Sequence, residues 1–199
     1  MLIFPIALAV GVSVGYLRGG RLRHLSRLEL RATALVVGAL GLQVGAGLAP
    51  TAWRFSITVA SYVAVVAWLV VNGPGRPAGL RWALGLLAAG WALNLAAIAA
   101  NGGMPVSLRA ARDVGARPGV DVAEGNLYKH VRASGDTRLS WLGDVVPVRQ
   151  VASVISIGDV VMFVGLVLAV AFGMARHGNE DPRREARRPG KGRPGEALA

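Results

Sequence analysis

The chain of 199 residues contains no cysteine. Disulfides, thiolate nucleophiles and cysteine-ligated metals are therefore excluded, and any ordered loop must hold by packing and hydrogen bonds. Charge is also scarce: Asp, Glu, Lys and Arg together make only 17% of the residues. That is low for a soluble domain. Acidic residues are fewest, 11 against 22 Lys and Arg, which leaves a net charge of +11. Histidine occurs three times, at His24, His130 and His177, without the paired spacing of a metal site, so no metal and no cofactor is expected. No nucleophile-elbow or phosphate-loop motif is present.

What the chain has instead is apolar sequence. Hydrophobic residues make 53% of it, and the mean hydropathy is +0.48. The charges lie mostly outside the apolar runs, the signature of an integral membrane protein. Five runs stand out, at residues 2–17, 32–49, 55–71, 82–100 and 151–175. Each approaches or exceeds the ~17 residues a helix needs to cross the hydrocarbon. The expected fold is therefore all-α, with five transmembrane helices and one long extracytoplasmic loop at residues 101–150. The first run reads as a span rather than a cleaved signal, because no positive charge precedes it and arginines follow it.

Arginine placement sets the orientation. The connectors at residues 18–31 and 73–81 and the tail from Arg176 hold 14 of the 22 basic residues. With five spans these segments share one side, which the positive-inside rule makes the cytoplasm. The expected protein is a multi-pass plasma membrane protein with its N-terminus outside and C-terminus inside. Residues 176–199 have almost no large apolar side chain and read as a disordered basic tail. The net charge invites nucleic acid as a partner, but no aromatic-interleaved basic patch supports it. The lipid bilayer is the expected partner.

Inside the spans, polar residues are costly and each needs a reason. Gln43, Ser61, Asn94 and Asp159 all fall six to eight residues from the loop-side end of their runs. At about 1.5 Å per helical residue they share a depth of roughly 10–12 Å. Ser156 precedes Asp159 by three residues on the same face. One reading is a polar pocket lidded by the loop, and the alternative is an interhelical hydrogen-bond cluster that fixes packing. Asp159 must be partnered or protonated in either case, with Asn94 the first expected partner.

The loop opens with NGGMPVS, residues 101–107, and closes with LGDVVP, residues 142–147. These two ends are expected to lie close together. Gly102 and Gly103 permit a turn that Pro105 forces. A short helix is expected over residues 107–115 with Ser107 as N-cap, another over residues 126–133, and Pro147 at the start of the last helix. His130 with Asp136 or Asp144 forms a possible acid–base pair, although a histidine that merely packs and an Asp144 that serves its turn are the plainer readings. Gly11 with Gly15 and Gly41 with Gly45 form GxxxG pairs.

The ordered set NGGMPVS, LGDVVP and SIGD, residues 156–159, resembles a bacterial family of membrane proteins called domain of unknown function 5317. The resemblance rests on Asn101, Gly102, Gly103, Met104, Pro105, Gly143, Asp144, Pro147, Gly158 and Asp159. It implies a multi-span architecture and no particular activity. The expected function is binding of a small molecule, a lipid-like ligand or a protein partner at the outer face. The candidate ligand-binding residues are Asp159, Asn94, Gln43, Ser61, Ser156, Asn101, Met104, His130 and Asp144. The first alternative is a membrane enzyme acting on a lipid-linked substrate at the outer leaflet. The second is a small transporter component, disfavoured because Val160 to Val164 offer no polar path inward.

Overall fold

The computed structural model describes residues 2–115 and 130–175. Five apolar helices and one short polar helix form: α1 (Ile3–Leu17), α2 (Thr33–Leu48), α3 (Thr51–Val71), α4 (Ala78–Asn101), α5 (Leu108–Asp113) and α6 (Ile157–Gly173). Pro50 and Pro77 stand immediately before α3 and α4. Their fixed φ suits a helix entrance and their missing N–H costs nothing there. α3 and α4, at 21 and 24 residues, are long and apolar enough to cross a membrane. α1, α2 and α6 are as apolar but shorter.

The helices pack in the order α1, α6, α4, α3, α2, each against its neighbours in that row. Small residues let the central pair close up. A Cβ added at Gly165 would meet the Leu87 backbone nitrogen at 2.9 Å, and one at Gly90 would strike Met162 and the Gly158 carbonyl. Gly11 and Gly15 bring α1 onto Val170 and Met174 of α6 in the same way. The second GxxxG pair does not work so: nothing lies within 4 Å of a Cβ built on Gly41 or Gly45. A branched-aliphatic and aromatic cluster, Ala39, Val65, Leu69, Leu80 and Leu84, joins α2, α3 and α4.

The all-α expectation needs correction. Four short strands, β1 (Met104–Val106), β2 (His130–Arg132), β3 (Asp144–Val148) and β4 (Ser153–Ser156), form one sheet in the order β2-β1-β3-β4. β1 runs parallel to both neighbours, and β3 and β4 are antiparallel, with an irregularity between Asp144 and Val146. The sheet rests on the loop-side ends of α4 and α6 through Met104 and Leu142, which pack on Ala97 and Ile98. Pro147 therefore lies in β3 and does not start the last helix. The fifth apolar run begins as strand, so α6 starts at Ile157 rather than near Val151. The helix expected over residues 126–133 is a strand at residues 130–132, and its remainder, like the tail expected to be disordered, lies outside the described residues. The helix after Ser107 forms, with the Ser107 hydroxyl accepting from Ala110 N at 3.3 Å.

The two ends of the bundle differ in chemistry. At one end the basic connectors gather. Arg21 N and His24 Nδ1 both reach the Met174 carbonyl at 2.9 Å, and Arg18 lies 5.1 Å over the Phe172 ring. Asn72 closes α3 here: its Oδ1 accepts from Arg31 N at 2.8 Å and its Nδ2 donates to Arg31 O at 3.0 Å. At the other end Asn101 closes α4 by the same device, accepting from Arg138 N at 2.9 Å and donating to Arg138 O at 2.8 Å. In each case one amide side chain pairs with a connector backbone as a strand would.

Candidate functional site

The site begins at the N-terminus of α6. Ser156 is the N-cap, and Asp159 three residues on completes a capping box. The Ser156 hydroxyl accepts from Asp159 N at 2.9 Å, and Asp159 Oδ2 accepts from Ser156 N at 3.1 Å. Two donors that a helix start leaves without partners are thereby satisfied. α4 adds the third member. Asn94 Nδ2 donates to Asp159 Oδ1 at 2.9 Å, and Asn94 Oδ1 accepts from the Ser156 hydroxyl at 2.8 Å.

All three side chains are buried, and the ring of four hydrogen bonds is closed. Gly158 makes the closure possible, because a Cβ there would run into the Asn94 amide. The carboxylate accepts two hydrogen bonds at the positive end of a helix, which answers the cost of burying it. Asp159 thus sits in the first turn of a helix whose start is sunk beside the middle of α4. It meets Asn94, seven residues before the end of α4, from the first turn of α6 rather than from eight residues into a helix.

A second tier lies above it on the sheet. Asp144 is cross-strand partner to Ser156 and to Val106, and Met104 is partner to His130. Aligned partners in a sheet point to the same face, so His130, Asp144 and Ser156 share the face turned to the helices. His130 Nε2 stands 3.6 Å from Asp144 Oδ2. The histidine side chain is 35% exposed and the carboxylate 11%, so the pair runs from the surface inward. Burial, and secondarily the negative charge of Asp159, push the Asp144 carboxyl up to about 7. The Asp144 carbonyl accepts from Ser107 N at 2.9 Å, which ties the two ends of the loop together. A Cβ on Gly143 would strike the Pro105 carbonyl, so the glycine is what allows that approach.

The remaining candidates separate from this site. Gln43 is partly exposed on α2, which packs on α3 at the far end of the helix row. Ser61 is buried but donates to Thr58 O within its own helix at 2.7 Å. A shared count from the ends of their runs carries no information about which face of a helix they occupy. Asn101 tethers the loop to the end of α4 and Met104 fills the apolar contact under the sheet. The turn at the loop entrance is carried by Gly102, with φ of 74°, while Gly103 is buried without needing a positive φ.

Tyr62 is the residue that reading the sequence missed. It packs against the Met104–Leu142 contact, meets Trp91 edge-on at 4.6 Å, and lies within electrostatic reach of both Asp144 and Asp159. Its only sequence signal is its place next to Ser61. Among the described residues no group of three or more His, Asp or Glu is placed to hold a metal ion.

The arrangement divides the chemistry. The lower tier, Asn94, Ser156 and Asp159, is a buried network whose side chains bond to one another. The upper tier, His130 and Asp144, has a carboxyl near neutrality beside an imidazole that solvent reaches. Proton exchange belongs to that tier.

Comparison with known proteins gives one match. A family model described as a family of unknown function (DUF5317) covers residues 24–171. No curated protein and no solved structure matches.

Proposed function

The chain belongs to the DUF5317 family, and from the site just described we propose that it is a five-span plasma membrane protein that binds a small or lipid-borne polar ligand at its outer end. Support for the membrane reading comes from the faces that the helices leave bare. Val37, Val44 and Leu48 of α2 are 65%, 71% and 85% exposed, and α1, α3 and α6 also turn large apolar side chains outward. Apolar area of that extent on several helices fits a lipid surround. The collection of arginines at one end of the bundle fits the cytoplasmic side. Two of the short helices gain length from their flanks, α1 from the arginines that follow it and α6 from β4 that precedes it. A reporter fused after Ala199 should then read cytoplasmic and one inserted at Val120 external; the opposite pattern refutes the orientation.

The ligand reading rests on one observation, the Asp144 carboxyl held near neutrality beside His130 on a braced sheet. Such a carboxyl donates a hydrogen bond when protonated and accepts when ionised, so it suits recognition of a polar group at low cost. Native mass spectrometry of the detergent-purified protein, with lipidomics of a deletion strain, tests this. Wild type should carry a ligand that Asp144→Asn and His130→Ala lose while Gln43→Ala keeps it. A ligand retained equally by all four proteins refutes the assignment. The same observation favours a second reading, general acid–base catalysis on a lipid-linked substrate at the outer leaflet. Under that reading the deletion strain accumulates an unprocessed lipid rather than losing a bound one.

A further inference from the structure

A pocket of about 170 Å³ lies at the opposite, arginine-rich end of the bundle. Arg31 from the α1–α2 connector and Arg76 from the α3–α4 connector line it, with Asn72, Pro74, Gly75 and Glu29. We propose that this pocket binds the phosphate group of an anionic ligand, a phospholipid headgroup or free phosphate, between Arg31 and Arg76.

Three features support this. First, the Arg31 backbone and the Arg76 side chain are both fixed at the pocket. Asn72, itself buried, grips Arg31 through its backbone N–H and carbonyl, which leaves the guanidinium out of the clamp. Arg76 is held by its own side chain: Nε donates to Asn72 O at 3.4 Å and Nη2 donates to Glu29 O. A guanidinium offers five donors, so these bonds leave others for a phosphate oxygen. Second, Arg31 and Arg76 come from different connectors and line one pocket, so two guanidinium-bearing residues meet there from separate parts of the chain. Third, the surrounding charge has one sign. Arg18, Arg21, Arg23 and Arg81 belong to this end, and Glu29 is its one acidic side chain among the described residues. The Glu29 carboxylate opposes an anion, and the two arginines outweigh it. Phosphate geometry matches paired guanidinium donors better than it matches any other group at this end.

The lipid form of the ligand rests on the membrane reading above, and the free-phosphate form does not. The test uses the full chain in detergent, titrated with inorganic phosphate and with short-chain phosphatidylglycerol or phosphatidylcholine, and followed by calorimetry and native mass spectrometry. Wild type should bind the phosphate group saturably. Arg31→Gln should weaken it about tenfold, the worth of one charge-assisted contact, without disturbing the clamp. Arg76→Gln should weaken it by at least as much, and Glu29→Gln should tighten it. Arg109→Gln, exposed on the far side, should leave it unchanged. Tighter binding of phosphatidylglycerol than of phosphatidylcholine and phosphate identifies a lipid headgroup. Binding of inorganic phosphate with no preference for phosphatidylglycerol identifies a soluble ligand. No saturable binding of any probe, or binding that Arg31→Gln leaves intact, overturns the proposal.

Discussion

Replacing Asp144 with asparagine isolates the cost of burying a second carboxylate above Asp159. Burial pushes the Asp144 carboxyl up to about 7 in the folded protein from an ordinary value of 3.8. Between those two pH values the folded protein holds a proton that the unfolded chain has released. Stability therefore falls as pH rises from about 3.8 to about 7 and stays at the lower level above that. A paired aspartate of the usual kind runs the other way. A shift of about three units at ~1.36 kcal/mol each sets the full cost at about 4 kcal/mol. Asparagine keeps the shape and cannot ionise. The variant should thus gain on wild type as pH rises, by roughly 10 °C in Tm at pH 8 for a chain of this size and much less at pH 5. Thermal unfolding of the two proteins in one detergent measures the gap, and the comparison cancels every group that titrates alike in both. A gap of equal size at pH 5 and pH 8 refutes the account of a carboxyl destabilised by burial.

Five further substitutions probe the frame. Asn94→Ala leaves Asp159 Oδ1 and the Ser156 hydroxyl without their α4 partner and should cost about 2–4 kcal/mol. Asp159→Asn keeps one acceptor but sets its NH2 against a neighbouring donor unless the Asn94 amide turns over, and should cost about 1–2 kcal/mol; thermal unfolding in detergent will rank the two, and the reverse ranking would show that charge rather than closure holds the ring. Gly158→Ala should lower Tm sharply because its Cβ strikes the Asn94 amide, whereas Gly41→Ala should be neutral or gain up to about 1 kcal/mol of helix propensity. Asn101→Ala should speed amide hydrogen exchange at Arg138 while leaving the centre of α4 protected.

Reading the sequence located the apolar helices because each is a run of consecutive apolar residues, and a run needs no knowledge of its neighbours. The sheet escaped for the opposite reason. Its strands are three to five residues long, and β1 is paired to segments far along the chain. Residues 153–156, SVIS, read as the opening of an apolar helix because only the pairing with β3 distinguishes strand from helix there. Counting residues from run ends brought Asn94 and Asp159 together, although the count to Asp159 took strand β4 for helix. It failed for Ser61 and Gln43, because depth carries no information about which face a residue occupies. Asp144 and His130 were each legible as polar loop residues. Their proximity depends on β1 lying between β2 and β3, which no local pattern announces.

The paired asparagine clamps bear on how such a chain tolerates variation. Asn72 and Asn101 hold Arg31 and Arg138 only through main-chain groups, so neither clamp cares which side chain its partner residue carries. Each connector can then change its surface chemistry while its attachment to a helix end stays in register. The asparagines themselves have no such latitude, because aspartate lacks the donor and leucine lacks both groups. One amide at each end of the bundle thus separates the positions that keep the architecture from those that can diversify around it, much as a fixed socket accepts interchangeable fittings.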